Sequence, residues 1–335
     1  MKKYLLSVAA LLLAWPLLSQ EADDLGNNYA EVSIIPRLDL NPSWNSTSGF
    51  GFDLGNSSLY TLIEGSFSEN LSFTVANHWL AAGGWVEDFA PFEMFQGLGY
   101  SDTTNWLDYL SVDYSLGSWT FTLGKDCMLT GGHEYDDWDW DVYPVLASPV
   151  WNGLSPYQWG GKVAWTTPSE QSTVSLQMTT SPFGEHPFSS GLWTWSAQWS
   201  GEYGWASPLW SATVLSREGA GPDYLISLGN QFLFGDWTVT LDWSNCCAVD
   251  YDNSCMIKGS TLHGRVDWAA SETLGLSFRG NLVNGKGFGN WSNAGLICEY
   301  TPSESLRLHA LAAYDSLSGV TVGAGILYNL KFRLW

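Results

Sequence analysis

Five carboxylates, Glu134, Asp136, Asp137, Asp139 and Asp141, fall within the stretch HEYDDWDWD. Acids this dense either ligate a cation or set an electric field. The alternation of Asp137, Asp139 and Asp141 looks like a run of calcium ligands. However, Trp138 and Trp140 stand between them, and neither a glycine bend nor a downstream Glu follows at the spacing of a calcium loop. His133–Glu134 begins like a zinc-protease helix, but position 137 is Asp, so the HExxH spacing is absent. No metal is expected here. The five histidines (78, 133, 186, 263 and 309) are scattered and no G-x-S-x-G occurs, so neither an enzyme nor a cofactor is expected.

Two other constellations stand out. Trp138, Trp140, Tyr143, Trp151 and Tyr157 could stack on sugar rings, or serve as interfacial girdle and loop packing. Cys127, Cys246, Cys247, Cys255 and Cys298 are an odd set. Cys246 or Cys247 with Cys255 would staple one loop in an oxidising compartment, leaving at least one thiol over.

The elements that position these residues follow from composition and pattern. The chain has 335 residues, 13 Lys+Arg and 34 Asp+Glu, for a net charge of −21, yet only 14% of residues are charged and 15% are aromatic. So many aromatics exclude disorder, and the net charge excludes nucleic acid as a partner. Residues 1–20 read as a secretory signal peptide: Lys2 and Lys3, an apolar run to Leu18, then Ser19–Gln20 ahead of acids. The remainder, 21–335, reads as one domain.

That domain alternates with a period of two. In 236–243, Trp237, Val239, Leu241 and Trp243 share one face, against Thr238, Thr240 and Asp242. The stretches 172–178, 192–199 and 273–279 repeat the pattern. Short polar breaks (Ser68–Asn70, Leu116–Ser118, Pro168–Gln171, Gly201–Trp205, Gly235–Asp236, Ala270–Glu272, Pro302–Glu304) alternate with longer ones (42–56, 82–104, 133–157, 183–190, 217–223, 247–255, 284–291, 315–319). Fifteen connections imply about sixteen strands. The less apolar face is mostly Thr, Ser, Gly and Asn, whereas a soluble sheet would show many charges there. The pattern therefore predicts an all-β fold: a transmembrane antiparallel β-barrel with long outer loops, lying in outer-membrane lipid, with Trp106, Trp119, Trp159, Trp205, Trp237 and Trp268 at its interfaces. The chain stops on Trp335, out of register with the apolar face of its last strand.

Within 121–165, the pieces Leu123–Lys125, Gly131–Asp136, Asp141–Tyr143 and Tyr157–Gly161 resemble the porin-like barrels of Bacteroidota, relatives of the phosphate-selective porins O and P. The resemblance implies an outer-membrane barrel whose long third loop, here 133–157, folds inward and narrows the lumen. A phosphate pore needs rings of Lys or Arg, and here five Lys and six Arg after residue 20 are spread along the chain. The expectation is a porin of the bacterial outer membrane passing small hydrophilic solutes or ions, cation-preferring or non-selective. Its loop acids would line the pore, with Lys125 and Lys162 as counter-charge, or else stand on an outer loop in water. A homotrimer or membership of a larger outer-membrane complex is compatible with it. Two alternatives remain: a non-conducting barrel subunit of such a complex, with aromatic loops 82–104 and 133–157 as docking surfaces or plugs, and a secreted carbohydrate-binding β-protein.

Overall fold

A computed structural model describes residues 28–83, 107–154, 156–183, 188–219, 221–245, 259–284 and 290–334. The segment 1–20, Cys246, Cys247, Cys255, most of 82–104 and Trp335 lie outside these residues. The strands are β1 (Tyr29–Asn45), β2 (Gly49–Asp53), β3 (Asn56–Ser68), β4 (Leu71–Gly83), β5 (Leu107–Leu116), β6 (Trp119–Cys127), β7 (Tyr157–Thr166), β8 (Ser172–Thr180), β9 (Trp193–Gly201), β10 (Ala206–Leu215), β11 (Asp223–Phe234), β12 (Trp237–Asn245), β13 (Ser260–Ala269), β14 (Leu274–Asn284), β15 (Asn290–Ser303), β16 (Leu306–Asp315), β17 (Gly319–Tyr328) and β18 (Leu330–Arg333). Each pairs antiparallel with its neighbours, and β1 closes the sheet against β17 and β18.

The result is a closed sixteen-stranded barrel. Two segments reconcile this with eighteen strands. β2 is a flap that folds back on the end of β1 (Trp44 opposite Phe50). β18 continues β17 beyond Asn329. The ladder to β1 lapses between Ile34↔Leu330 and Arg37↔Leu327, where Pro36 has no N–H to donate. Among the described residues, every break read from the sequence falls at a strand end, except that the first long connection contains the ordered β2 flap.

Polarity is inverted relative to a water-soluble protein. Leu241, Trp195, Leu176, Phe278 and Leu282 are exposed, while their neighbours Asp242, Ser196, Gln177, Ser277 and Asn281 are buried. A strand has two faces, so apolar-out forces polar-in. An outward apolar belt is what a bilayer-spanning barrel needs, because hydrocarbon cannot solvate polar groups and a closed barrel leaves no backbone edge unpaired.

Candidate functional site

The connection from β6 to β7 turns into the barrel. Its neck is closed by the Met128 amide donating to the Pro156 carbonyl at 2.8 Å. It then proceeds by single turns rather than regular structure: 3-10 turns at His133–Asp136, Asp139–Asp141 and Pro144–Leu146, then a short helix, Pro149–Gly153. Ser148 caps that helix, accepting from the Trp151 amide at 3.2 Å, and Pro149 suits its first position.

The inner wall satisfies the backbone groups that these turns leave over. Thr213 donates to the Leu129 carbonyl and Ser211 to the Gly131 carbonyl. Asn281 and Asn293 donate to the carbonyls of Leu146 and Val145 at 2.8 and 2.9 Å. Arg37 donates to the Trp140 and Val142 carbonyls, and Asn56 to those of Asp139 and Val142. The anchors lie on β1, β3, β10, β14 and β15, so the segment crosses the lumen instead of lining one side.

Three apolar contacts add to the hydrogen bonds. Val150 and Leu154 pack with Met128 on Leu215 and Leu225. Trp140 packs on Tyr60 and Leu62, and Leu146 and Tyr143 on Ile297 and Leu311. At Gly132 the loop backbone touches the wall: a Cβ on Gly229 would lie 2.8 Å from the Gly132 Cα. Only glycine permits that approach.

The loop carboxylates all have partners. Asp137 accepts from Arg265 at 2.9 Å and from Arg279 at 3.1 Å. Asp141 accepts from Arg307 at 2.6 Å. Glu134 accepts the Ser148 amide at 2.6 Å. Asp136, the most exposed of the set, accepts from His133 at 2.8 Å. Asp139 accepts the Tyr157 hydroxyl at 2.6 Å, and His78 stands 4.0 Å away. Burial and the neighbouring Asp108 push the Asp139 carboxyl up to about 6, against His78 and the Tyr157 hydroxyl. Burial likewise raises Asp141, with Arg307 opposing.

The two lysines sit elsewhere. Lys162 is held by Asp126 at 2.6 Å, on the wall rather than against the loop acids. Lys125 is buried near the end of β6, in register with Leu110 and Trp159. The aromatic residues face each other. Trp138 stacks on Trp140 with centroids 4.8 Å apart. Tyr157 packs edge-on to Tyr109, and Trp151 stacks on Tyr135. Tyr143 is buried beneath the guanidinium of Arg37.

Sequence reasoning singled out the acids but not their partners. Arg37, Arg265, Arg279 and Arg307 each stand on the polar face of an alternating strand, and that placement was the available signal. His78, Asp108, Asn281 and Asn293 were missed altogether.

No family model matches the sequence, and no curated protein does. Solved structures match in fold. An anion-selective porin from Comamonas acidovorans aligns with TM-score 0.63 at 10% identity, covering 90% of this chain and all of the porin. A mutant porin of Rhodopseudomonas blastica aligns with TM-score 0.59 at 12% identity over the same shares. At this identity the likeness is one of fold.

Proposed function

We propose that the protein is a porin of the bacterial outer membrane, passing small hydrophilic solutes by diffusion through a lumen narrowed by residues 128–156, with residues 1–20 directing its export. The observation that supports this most is the inward segment itself, a polar, charged crosspiece held against the inner wall of an inside-out barrel. The neighbours of known structure add that barrels of this shape serve as porins in other bacteria.

Selectivity is read from contacts. Fixed carboxylates favour cations only as far as their charge is uncompensated. Asp137 and Asp141 are in contact with guanidinium groups, so little of their field reaches a passing ion. Asp242 of the inner wall, by contrast, contacts no lysine or arginine among the described residues; it accepts the Glu134 amide and faces His263. The selectivity proposed is therefore a weak cation preference.

One observation favours a second reading, a non-conducting barrel within a larger complex. Inner-wall residues of β8 to β10 that an open lumen would wet, among them Ser175, Gln177, Thr194, Ser196 and Thr213, are buried.

Single-channel recording in a planar bilayer across a KCl gradient separates the two. Steady openings with a small cation-directed reversal potential are expected. Silence from a barrel whose heat-modifiable gel mobility shows it folded would overturn the porin reading in favour of the plugged subunit.

A further inference from the structure

Beside the crosspiece, β4, β5 and the loop converge on a buried group of different chemistry. His78 on β4 contacts Asp108 on β5, Nδ1 to Oδ2, at 2.5 Å. Asp139 brings its Oδ2 to 4.0 Å from the same nitrogen. The three donor atoms lie within 4.8 Å of one another, and all three residues are buried. The surroundings are aromatic: Tyr60 meets His78 edge-on at 4.2 Å, and Trp140 covers Tyr60 at 4.5 Å.

Two features set this group apart from an ordinary buried hydrogen bond. First, the strands are distorted to build it. The β4–β5 ladder runs from Ala76↔Tyr109 to Asn77↔Leu107 and skips Asp108. The β3–β4 ladder runs from Leu59↔Leu80 to Tyr60↔His78 and skips Trp79. By simple alternation Asp108 would share the outward face of Leu110 and Val112; the bulge turns it inward, as bulges next to functional sites re-aim side chains. Second, Asp108 is fully buried, its Oδ1 makes no well-aligned hydrogen bond, and the neutral Tyr60 hydroxyl is the polar group beside it. A buried carboxylate oxygen so poorly matched is costly. Among the described residues, neither Asp108 nor Asp139 is paired with a lysine or arginine.

We propose that His78, Asp108 and Asp139 form a binding site for a first-row divalent metal ion, which ties the inward-folded loop to the barrel wall. One imidazole nitrogen and two carboxylate oxygens suit zinc or manganese, whereas calcium takes six to eight oxygens. The charge closes as well, since two carboxylates and a neutral imidazole balance a dication. Closing three donors around an ion at about 2.1 Å brings them to roughly 3.4 Å from one another. That asks the His78–Asp108 pair, now 2.5 Å apart, to open by about 0.9 Å, and Asp139, the ligand on the loop, to close by up to about 1.4 Å.

The test uses the full protein, folded in detergent, stripped with chelator and dialysed against ZnCl2. The wild type is expected to retain one tightly held equivalent that CaCl2 does not displace. Asp108→Asn and Asp139→Asn are expected to lose it, and Asp236→Asn, in the exposed turn between β11 and β12, to keep it. Heat-modifiable mobility checks that each barrel is folded, and Asp139→Asn, on the loop, keeps the test open if Asp108→Asn fails to fold. No tight equivalent in the folded wild type, or unchanged binding in both ligand variants, would overturn the proposal. Binding is read without conductance, so this result stands apart from the porin reading.

Discussion

Arg265 and Arg279 occupy directly opposite positions on β13 and β14, and both donate to one carboxylate of Asp137. Like charges facing across a ladder repel. Asp137 reverses the sign of that relationship: the loop residue is what makes the arginine pair tolerable, and the arginines are what hold the loop across the lumen.

Asp137→Asn should therefore act twice. It removes two charge-assisted contacts and leaves two guanidinium groups facing each other, at a cost of about 2 kcal/mol in urea unfolding of the detergent-folded barrel. It also frees positive charge where the loop crosses the lumen. The reversal potential across a KCl gradient should move towards anions. A variant as cation-preferring as the wild type would show that these residues do not set the field.

The outward and inward faces give a prediction of opposite sign to that of a soluble protein. Leu241 lies midway along β12 and is exposed. If that face meets hydrocarbon, Leu241→Arg costs about 2–4 kcal/mol. Gln198→Lys, on the inner face of β9, should cost a fraction of that. Were the barrel surrounded by water, the order would reverse: Arg at 241 would be harmless, and Lys at the half-buried Gln198 would be the damaging change. Unfolding both variants in lipid vesicles decides it.

The strands were legible because alternation is local. In DWTVTLDW the odd positions point out and the even ones in, and Gly235–Asp236 turns the chain just before them. The site was legible only in part. Asp137 and its partner Arg265 are 128 positions apart, and nothing local to either announces the other. Asp108 is a sharper case. Its parity places it with Leu110 on the lipid side, and only the bulge, which no short pattern encodes, turns it to His78. The first outer connection, 42–56, reads as one of the longer breaks, yet part of its backbone pairs with the end of β1.

Gly229 tests how closely the loop must approach the wall. A Cβ there meets Gly132 Cα at 2.8 Å, the Asp242 carboxylate and the Leu209 carbonyl. Two of these three are backbone and cannot swing aside. Gly229→Val should lift the loop from β11 at a cost of about 1–3 kcal/mol. Larger conductance, or new protease cuts near Gly131–Gly132 in the folded barrel, is the expected readout. An unchanged channel with unchanged stability would mean that the loop is not seated there.

His133 makes the same contact dependent on pH. Its Nδ1 meets the Asp136 carboxylate at 2.8 Å and its Nε2 the Ser207 carbonyl at 2.7 Å. Both partners are acceptors, so both ring nitrogens must donate, and only the imidazolium does so. Burial opposes that charge, but Asp136, the Ser207 carbonyl and Asp242 on β12 outweigh it, and the group sits above its ordinary 6.5. The sign follows from the raised value. The folded loop binds this proton more tightly than the unfolded chain, so the contribution is complete below pH 6.5 and fades as pH rises through the folded value. His78, His263 and His309 stand in the same barrel, so the informative quantity is the difference between wild type and His133→Gln. Stability of the wild type should exceed that of the variant most at pH 5.5, and the gap should narrow by pH 8.5. A gap that stays constant or widens with pH would show that His133 is neutral in the folded loop, and that β10 holds it by the remaining hydrogen bonds from Ser211 and Thr213.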